Sequence, residues 1–218
     1  MSYTLSSLTK KLIMSLAGLF LMVFLLVHLT INLFMLLPDQ GELFKAAVHF
    51  MTTNPIIKIF EVVLFSGFIL HMFVGLILFI KNFSSRPVRY YKSNKSETSF
   101  FSKYMIYTGA IVFIFLVIHF MNFYFVKLGW VSPPEGIGVH DFYEMAILLF
   151  TNKMYSLIYI VLIALLGFHL NHALQSGIQT LGFNHTRYTV CVKRFSTIYA
   201  IFVTLGFCAI PIYFLFIH

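Results

Sequence analysis

The chain alternates between long apolar stretches and short polar connections. Five long stretches contain no charged residue, and they cover residues 12–37, 62–80, 104–126, 154–186 and 195–218. Each reaches the roughly 20 residues that an α-helix needs to cross a bilayer. Each is also far longer than the roughly ten alternating residues of a barrel strand. The pattern predicts five transmembrane helices, at about 10–37, 56–81, 103–128, 153–179 and 194–217.

The composition supports a membrane protein. Of the 218 residues, 60% are hydrophobic and 10% are charged, whereas a typical soluble domain is roughly 25% charged. These values exclude a water-soluble fold and leave room for one membrane domain, residues 1–218. The expected fold class is all-α, an integral membrane bundle of five helices. Cys191 and Cys208 are far apart and no CxxCH sequence is present, so neither a disulfide framework nor a covalently attached haem is indicated.

Lysine and arginine are distributed unevenly between the two sides of this topology. Eleven precede the first span or lie in the second and fourth connections, and four lie in the first and third connections. Basic residues near span ends stay on the cytoplasmic side, so the N-terminus is expected in the cytoplasm. The basic connections are interpreted as topology signals that contact anionic lipid or a soluble partner, and a nucleic-acid partner is not expected.

Five histidines lie inside the predicted spans, where ionisable side chains are costly and are functional candidates by default. At 1.5 Å rise per residue, His28 and His119 lie about 25 Å and about 23 Å above the cytoplasmic ends of the first and third spans. His71 in the second span and His169 in the fourth lie about 14 Å above the same boundary, and His172 lies about 9 Å above it. The histidines therefore define two levels in the membrane.

Two histidines from different helices at one depth match a bis-imidazole haem, whose iron takes one nitrogen from each side of the porphyrin. Two levels predict two haems stacked between the first four spans. His28 and His119 would hold the outer haem, and His71 and His169 the inner one. His172, one turn from His169, is an alternative ligand or a contact for a haem propionate.

A histidine-based proton or metal transporter is the main alternative of another class. Such pathways usually include buried carboxylates. The acidic residue nearest to a span is Glu61, at the outer mouth of the second span. The distribution of acidic residues therefore favours haem ligation over transport.

The four ligands and their neighbours form a recognisable ordered set. The residues are Ser15, Gly18, His28, Leu29 and Asn32 in the first span, Gly67, His71 and Gly75 in the second, Thr108, Gly109 and His119 in the third, and Phe168, His169, Leu181 and Gly182 in and after the fourth. Together they resemble the single-chain, five-helix, di-haem cytochrome b subunit of succinate:menaquinone oxidoreductases and quinol:fumarate reductases. The resemblance covers nearly the whole chain.

This resemblance implies a respiratory complex in the bacterial inner membrane. The chain would anchor a flavoprotein subunit with FAD and an iron–sulfur subunit to the cytoplasmic face. It would carry electron transfer through two haem b groups and quinone chemistry with menaquinone, and it would not bind the dicarboxylate. Some fumarate reductases carry a glutamate, linked to transmembrane proton movement, two residues before the fourth-span ligand; this chain has Gly167 there. The nearer alternatives are di-haem b subunits of hydrogenases or formate dehydrogenases, which differ in the helices that supply the ligands.

Quinone chemistry also requires proton donors and acceptors, because two electrons move with two protons. Glu42 and His49 in the first outer connection are the preferred candidates. His140, Asp141 and Glu144 in the second outer connection are further titratable groups near the outer haem. The alternative for each of these residues is a solvated loop position.

Overall fold

The computed structural model describes residues 6–84, 104–183 and 185–217. These residues fold almost entirely into helices, and no β-strand occurs among them. The helices are α1 (Ser7–Leu33), which ends in a 3-10 turn at Phe34–Leu36; α2 (Glu42–Thr53); α3 (Pro55–Ser84); α4 (Met105–His119), which continues through a π-helical turn at Phe120–Tyr124 and a last α-helical turn at Phe125–Lys127; α5 (Phe142–Thr151); α6 (Lys153–Thr180); and α7 (Thr186–Ile217).

Five of these elements are long and apolar enough to cross a membrane: α1, α3, α4 with its continuation, α6 and α7. The prediction of an all-helical fold with five long apolar helices is therefore confirmed. Helix α7 begins at Thr186 rather than near residue 194, because basic side chains at a membrane boundary can extend toward water while the helix continues. Residue 103, where the third span was predicted to begin, and the basic residues Arg86, Arg89, Lys92 and Lys95 lie outside the described residues.

Local sequence signals fix where several spans begin. The Ser6 side chain accepts a hydrogen bond from the Thr9 N–H at 3.1 Å and caps α1. Pro55 occupies the first position of α3, where its missing N–H is not needed. The Asn152 side chain accepts hydrogen bonds from the N–H groups of Met154 and Tyr155 and caps α6. These caps satisfy backbone donors that a helix start leaves without partners.

The helices α2 and α5 were not predicted from the sequence. They pack against each other at the end of the bundle opposite to the start of α1, called here the far end. The Asp39 carboxylate accepts hydrogen bonds from the N–H groups of Gly41 and Leu43, at 3.0 Å and 2.9 Å, just where α2 begins. The polar connections of the far end are therefore ordered structure.

Packing is unequal among the five spans. Helix α6 packs against α1, α4 and α7, whereas α3 packs mainly on α1. In the most apolar windows of α6 and α7, 33% of the residues are buried, compared with 6% in α3 and in α4. Helices α3 and α4 are therefore the peripheral, least buried members of the bundle, although each carries a predicted haem ligand.

Replacing Gly41 by alanine should destabilise the far end. Gly41 has a φ of 78°, and a Cβ there would lie 2.6 Å from the Tyr143 ring. The control Gly136→Ala has a similar φ of 79° but no atom within 4 Å of the added carbon, so it should cost about 1–2 kcal/mol of unfolding free energy for the backbone alone. We expect a clearly lower melting temperature for Gly41→Ala than for Gly136→Ala in detergent. Equal melting temperatures would contradict a tight Gly41–Tyr143 contact.

Candidate cofactor site

The structure brings His28 of α1 and His119 of α4 together. Their ring centroids are 5.8 Å apart and their planes are inclined by 86°. A metal–imidazole bond is about 2.0 Å long, so two imidazoles that bind one ion from opposite sides have their ring centroids roughly 6 Å apart. The aromatic rings of Phe24 and Phe207 lie against His28, and the ring of Phe123 lies against His119. This pair is spaced as two axial ligands of one metal would be, within apolar surroundings.

His71 of α3 packs against α1 at Gly18. A Cβ added to Gly18 would lie 3.2 Å from Cε1 of the His71 ring, so the glycine provides the space that the ring occupies. The Nδ1 atom of His71 is buried and has no hydrogen-bond partner among the described residues. Leaving a buried polar atom unsatisfied costs about 1–3 kcal/mol. A metal bound through Nε2 would leave Nδ1 as the donor, and the Met14 backbone of α1 lies next to this ring as an acceptor.

His169 of α6 is oriented by Thr108 of α4. The Thr108 hydroxyl donates to the Met105 carbonyl at 3.0 Å, and its oxygen lies 3.2 Å from Nδ1 of His169. Because the hydroxyl proton is already engaged, the threonine oxygen accepts the Nδ1–H proton of the imidazole. The neutral ring then has Nε2 available as a metal ligand, as in sites where an outer hydrogen bond fixes the tautomer. Gly109 lies beside the same ring.

The histidines at the second level are close enough to interact. His71 and His172 both lie within electrostatic range of His169, and His172 is half-buried on the same helix. Among the described residues, no group of three or more His, Cys, Asp or Glu side chains could hold a bare metal ion. Each pair instead supplies two imidazoles, which is the number of axial positions on a haem iron. The spacing of His28 and His119 therefore fits the two axial positions of one haem iron, and His71 and His169 are the candidates at the second level.

A cavity of about 1130 Å³ lies at the far end between α2, the start of α3 and the end of α4. Its volume is sufficient for an organic ligand of moderate size, since ligand pockets commonly measure about 300–1,000 Å³. The Phe65 ring in its wall lies 5.6 Å from the Phe120 ring, next to His119. Its titratable lining side chains are Lys45, His49, Lys58, Glu61, Tyr124, Lys127, His140, Asp141 and Tyr143. The cavity is thus apolar toward the bundle and polar toward the far end.

An ion cluster of three side chains occupies one wall of this cavity. Lys127 Nζ lies 3.1 Å from each carboxylate oxygen of Glu61, and the Tyr124 hydroxyl donates to the same carboxylate at 2.7 Å. The side chains of Glu61 and Lys127 are only 27% and 22% exposed. From the sequence, Glu61 was noted only as an acidic residue at the end of a span, and Tyr124 and Lys127 were not selected. The sequence did hold one signal for this contact, because Glu61 and Lys127 carry opposite charges and both lie at the far end of a span.

The candidates for quinone protonation occupy different positions. His49, His140 and Asp141 line the cavity. The Glu42 side chain is 78% exposed and lies 4.0 Å from Lys45, which also lies 3.9 Å from Glu144. Such exposed ion pairs are worth little stability. Of the two preferred candidates, the structure therefore places His49 in the cavity wall and Glu42 on the surface.

Tyr143 forms part of the same cavity wall, outside the spans. Burial, together with the nearby Tyr213, raises the pKa of Tyr143. Its hydroxyl therefore stays protonated across the physiological pH range and can donate a hydrogen bond.

Gly167, two residues before His169, is required by the packing of α6 on α7. A Cβ at this position would collide with the Thr204 hydroxyl. A larger side chain at this position would therefore require the Thr204 side chain to move.

Comparisons with protein-family models, with curated proteins and with solved structures returned no match for this chain.

Proposed function

We propose that this chain is the membrane anchor and di-haem b electron-transfer subunit of a succinate:menaquinone oxidoreductase or quinol:fumarate reductase. It would lie in the bacterial cytoplasmic membrane with its N-terminus in the cytoplasm. The observation that carries the proposal is the His28–His119 pair, two imidazoles from different membrane-spanning helices with ring centroids 5.8 Å apart. The proposal extends to His71 of α3 and His169 of α6 as the ligands at the second level.

In this proposal, His28 and His119 hold one haem b, and His71 and His169 hold the other. Bound haem supplies a one-electron centre whose iron changes oxidation state. Thr108 keeps the Nδ1 proton of His169 in place, so that Nε2 faces the metal. His172 remains the alternative ligand or a contact for a propionate.

The packing of the bundle supports insertion of flat groups between the helices. The helices that carry His71 and His119, α3 and α4, each have only 6% buried residues in their most apolar window. Gly18 lies beside His71 and Gly109 beside His169, so a residue without a side chain faces each ring. A macrocycle held there would bury surface that these two helices leave exposed.

We assign the far-end cavity to the quinone, for which menaquinone is the expected species. Quinone reduction consumes two protons, and positioned acid–base groups accelerate such transfers. Glu61, with Tyr124 and Lys127 bound to its carboxylate, and His49 in the opposite wall are the groups that would donate or accept them. Glu42, exposed at the surface, would exchange protons with water.

The partner subunits would bind at the end where α1 begins. Basic side chains concentrate there: Lys10, Lys11, Arg187, Lys193 and Arg194. In the proposed complex, an iron–sulfur subunit and a flavoprotein with FAD dock on this face, and anionic lipid surrounds it. The positive charge favours an acidic docking surface on the partner.

The proposal is tested by haem quantitation on the purified wild-type chain. A dithionite-reduced minus oxidised spectrum, combined with a pyridine haemochrome assay, should give two b haems per chain. Co-purification with a flavoprotein and succinate-dependent dye reduction should accompany them. A haem-free chain would overturn the redox assignment in favour of a transporter or a bare anchor. A hydrogenase or formate dehydrogenase partner would place the chain in another di-haem b group.

A further inference from the structure

A π-helical turn directly follows His119. It covers Phe120–Tyr124, and the Phe125 N–H donates to the Phe120 carbonyl five residues earlier instead of four. Such a turn inserts one residue into an α-helix, and it often occurs at functional sites. The turn begins directly after the proposed ligand His119 and leads to the ion cluster of the cavity.

The inserted residue changes which side chains share a face. In a regular α-helix each residue advances by about 100°, so Tyr124 would lie about 140° and Lys127 about 80° around the axis from His119. One extra residue turns everything after it back by about 100°, which brings both within about 40° of His119. The π-helical turn therefore aligns His119 with the two side chains that bind Glu61.

One partly buried hydrogen bond anchors this turn to α6. Asn122 Nδ2 donates to the Tyr159 hydroxyl at 2.8 Å, and Tyr159 is only 2% exposed. The Tyr159 ring lies 5.4 Å from Phe115 and 5.1 Å from Phe150, and 6.4 Å from His119. The tyrosine is therefore held by packing, and the asparagine is held by the tyrosine.

We propose that Asn122 and Tyr159 are positioning residues whose hydrogen bond holds the π-helical turn and thereby sets the orientation of the His119 ring against His28. The inference rests on the proposed function, because the haem held by that pair serves as the reporter. The two rings are inclined by 86°. Nearly perpendicular imidazoles interact equally with the two iron d orbitals of π symmetry, so the ferric haem should give a strongly anisotropic low-spin EPR signal.

The test compares Tyr159→Phe, Asn122→Leu and the double variant by EPR and by potentiometric titration. The EPR signal that disappears in His119→Ala belongs to the haem that His119 holds. In both single variants this signal should become less anisotropic, and the midpoint potential of the same haem should shift. The signal of the other haem should stay unchanged as an internal reference. Because both residues act through one hydrogen bond, the midpoint potential in the double variant should shift no further than in the single variant with the larger effect.

A matched control is Tyr199→Phe, which removes another 2.8 Å hydroxyl hydrogen bond, to the Met22 carbonyl, away from the π-helical turn. It should leave the His119-dependent signal unchanged. The proposal is wrong if Tyr159→Phe and Asn122→Leu leave that signal at its wild-type position, or if they shift both haem signals equally.

A second readout separates this inference from the proposed function. If the wild-type chain binds no haem, the redox assignment fails by itself, and ¹⁵N NMR of the histidine rings then tests the positioning role. With the resonances assigned through His119→Gln and His71→Gln, Tyr159→Phe should move those of His119 and not those of His71. Unmoved His119 resonances would overturn the inference.

Discussion

Replacement of His119 by alanine is expected to lower the haem content from two b haems per chain to one. Its ring is one of the two imidazoles of the His28–His119 pair, and one remaining nitrogen cannot supply both axial bonds of a low-spin haem. His28→Ala should lose the same haem, and His71→Ala should lose the other one. Pyridine haemochrome quantitation measures the number, and EPR identifies which haem remains.

A matched control for these losses is His185→Ala, because His185 is exposed and lies outside the spans. It should retain both haems. Circular dichroism melting shows whether a variant that loses its haem is still folded. If His28→Ala and His119→Ala, both folded, retain different haems, the proposed pairing is wrong.

Substitution of Glu61 by glutamine is expected to slow electron transfer to or from the quinone by roughly 100-fold, the lower range of effects for a lost acid–base group. Glutamine keeps an oxygen that can accept the Tyr124 hydrogen bond, but it cannot take up a proton and leaves Lys127 without its counter-charge. The haem content should remain at two per chain. Succinate-dependent reduction of a soluble dye, which bypasses the quinone, should also be preserved.

The control for this variant is Glu135→Gln, an exposed carboxylate of the far end that does not line the cavity. Its quinone-linked rate should equal that of the wild type. Tyr124→Phe removes one 2.7 Å hydrogen bond, and its quinone-linked rate should lie between those of the wild type and Glu61→Gln. A wild-type quinone rate in Glu61→Gln would exclude this carboxylate from proton transfer and leave His49 as the principal candidate in the cavity.

The five spans could be predicted from the sequence because the physical requirement is simple. A bilayer demands about 20 apolar residues per helix, and charged residues bound each stretch. The helical rise alone predicts one level for His28 and His119, and the structure places their rings in contact. The two short helices at the far end escaped prediction because twelve and ten residues are too few to cross a bilayer, so the span criterion does not detect them.

The details of the site depend on packing that no local pattern encodes. The π-helical turn after His119 has no residue signature, since Phe120 to Tyr124 are all compatible with a regular helix. The Glu61–Lys127 contact joins residues 66 positions apart, and it depends on how α3 and α4 meet. Thr108 was selected for its place in the resemblance, whereas its hydrogen bond to His169 could be seen only in three dimensions.

The unequal packing of the spans has a consequence for biogenesis. Helices α1, α6 and α7 share most of the buried surface and can form a stable scaffold as soon as they have been inserted. Helices α3 and α4 contribute few buried residues and lie at the periphery of this scaffold, α3 against α1 and α4 against α6. In the proposed function, a haem that arrives through the lipid would enter laterally beside these two helices, and its binding would complete the maturation of the subunit.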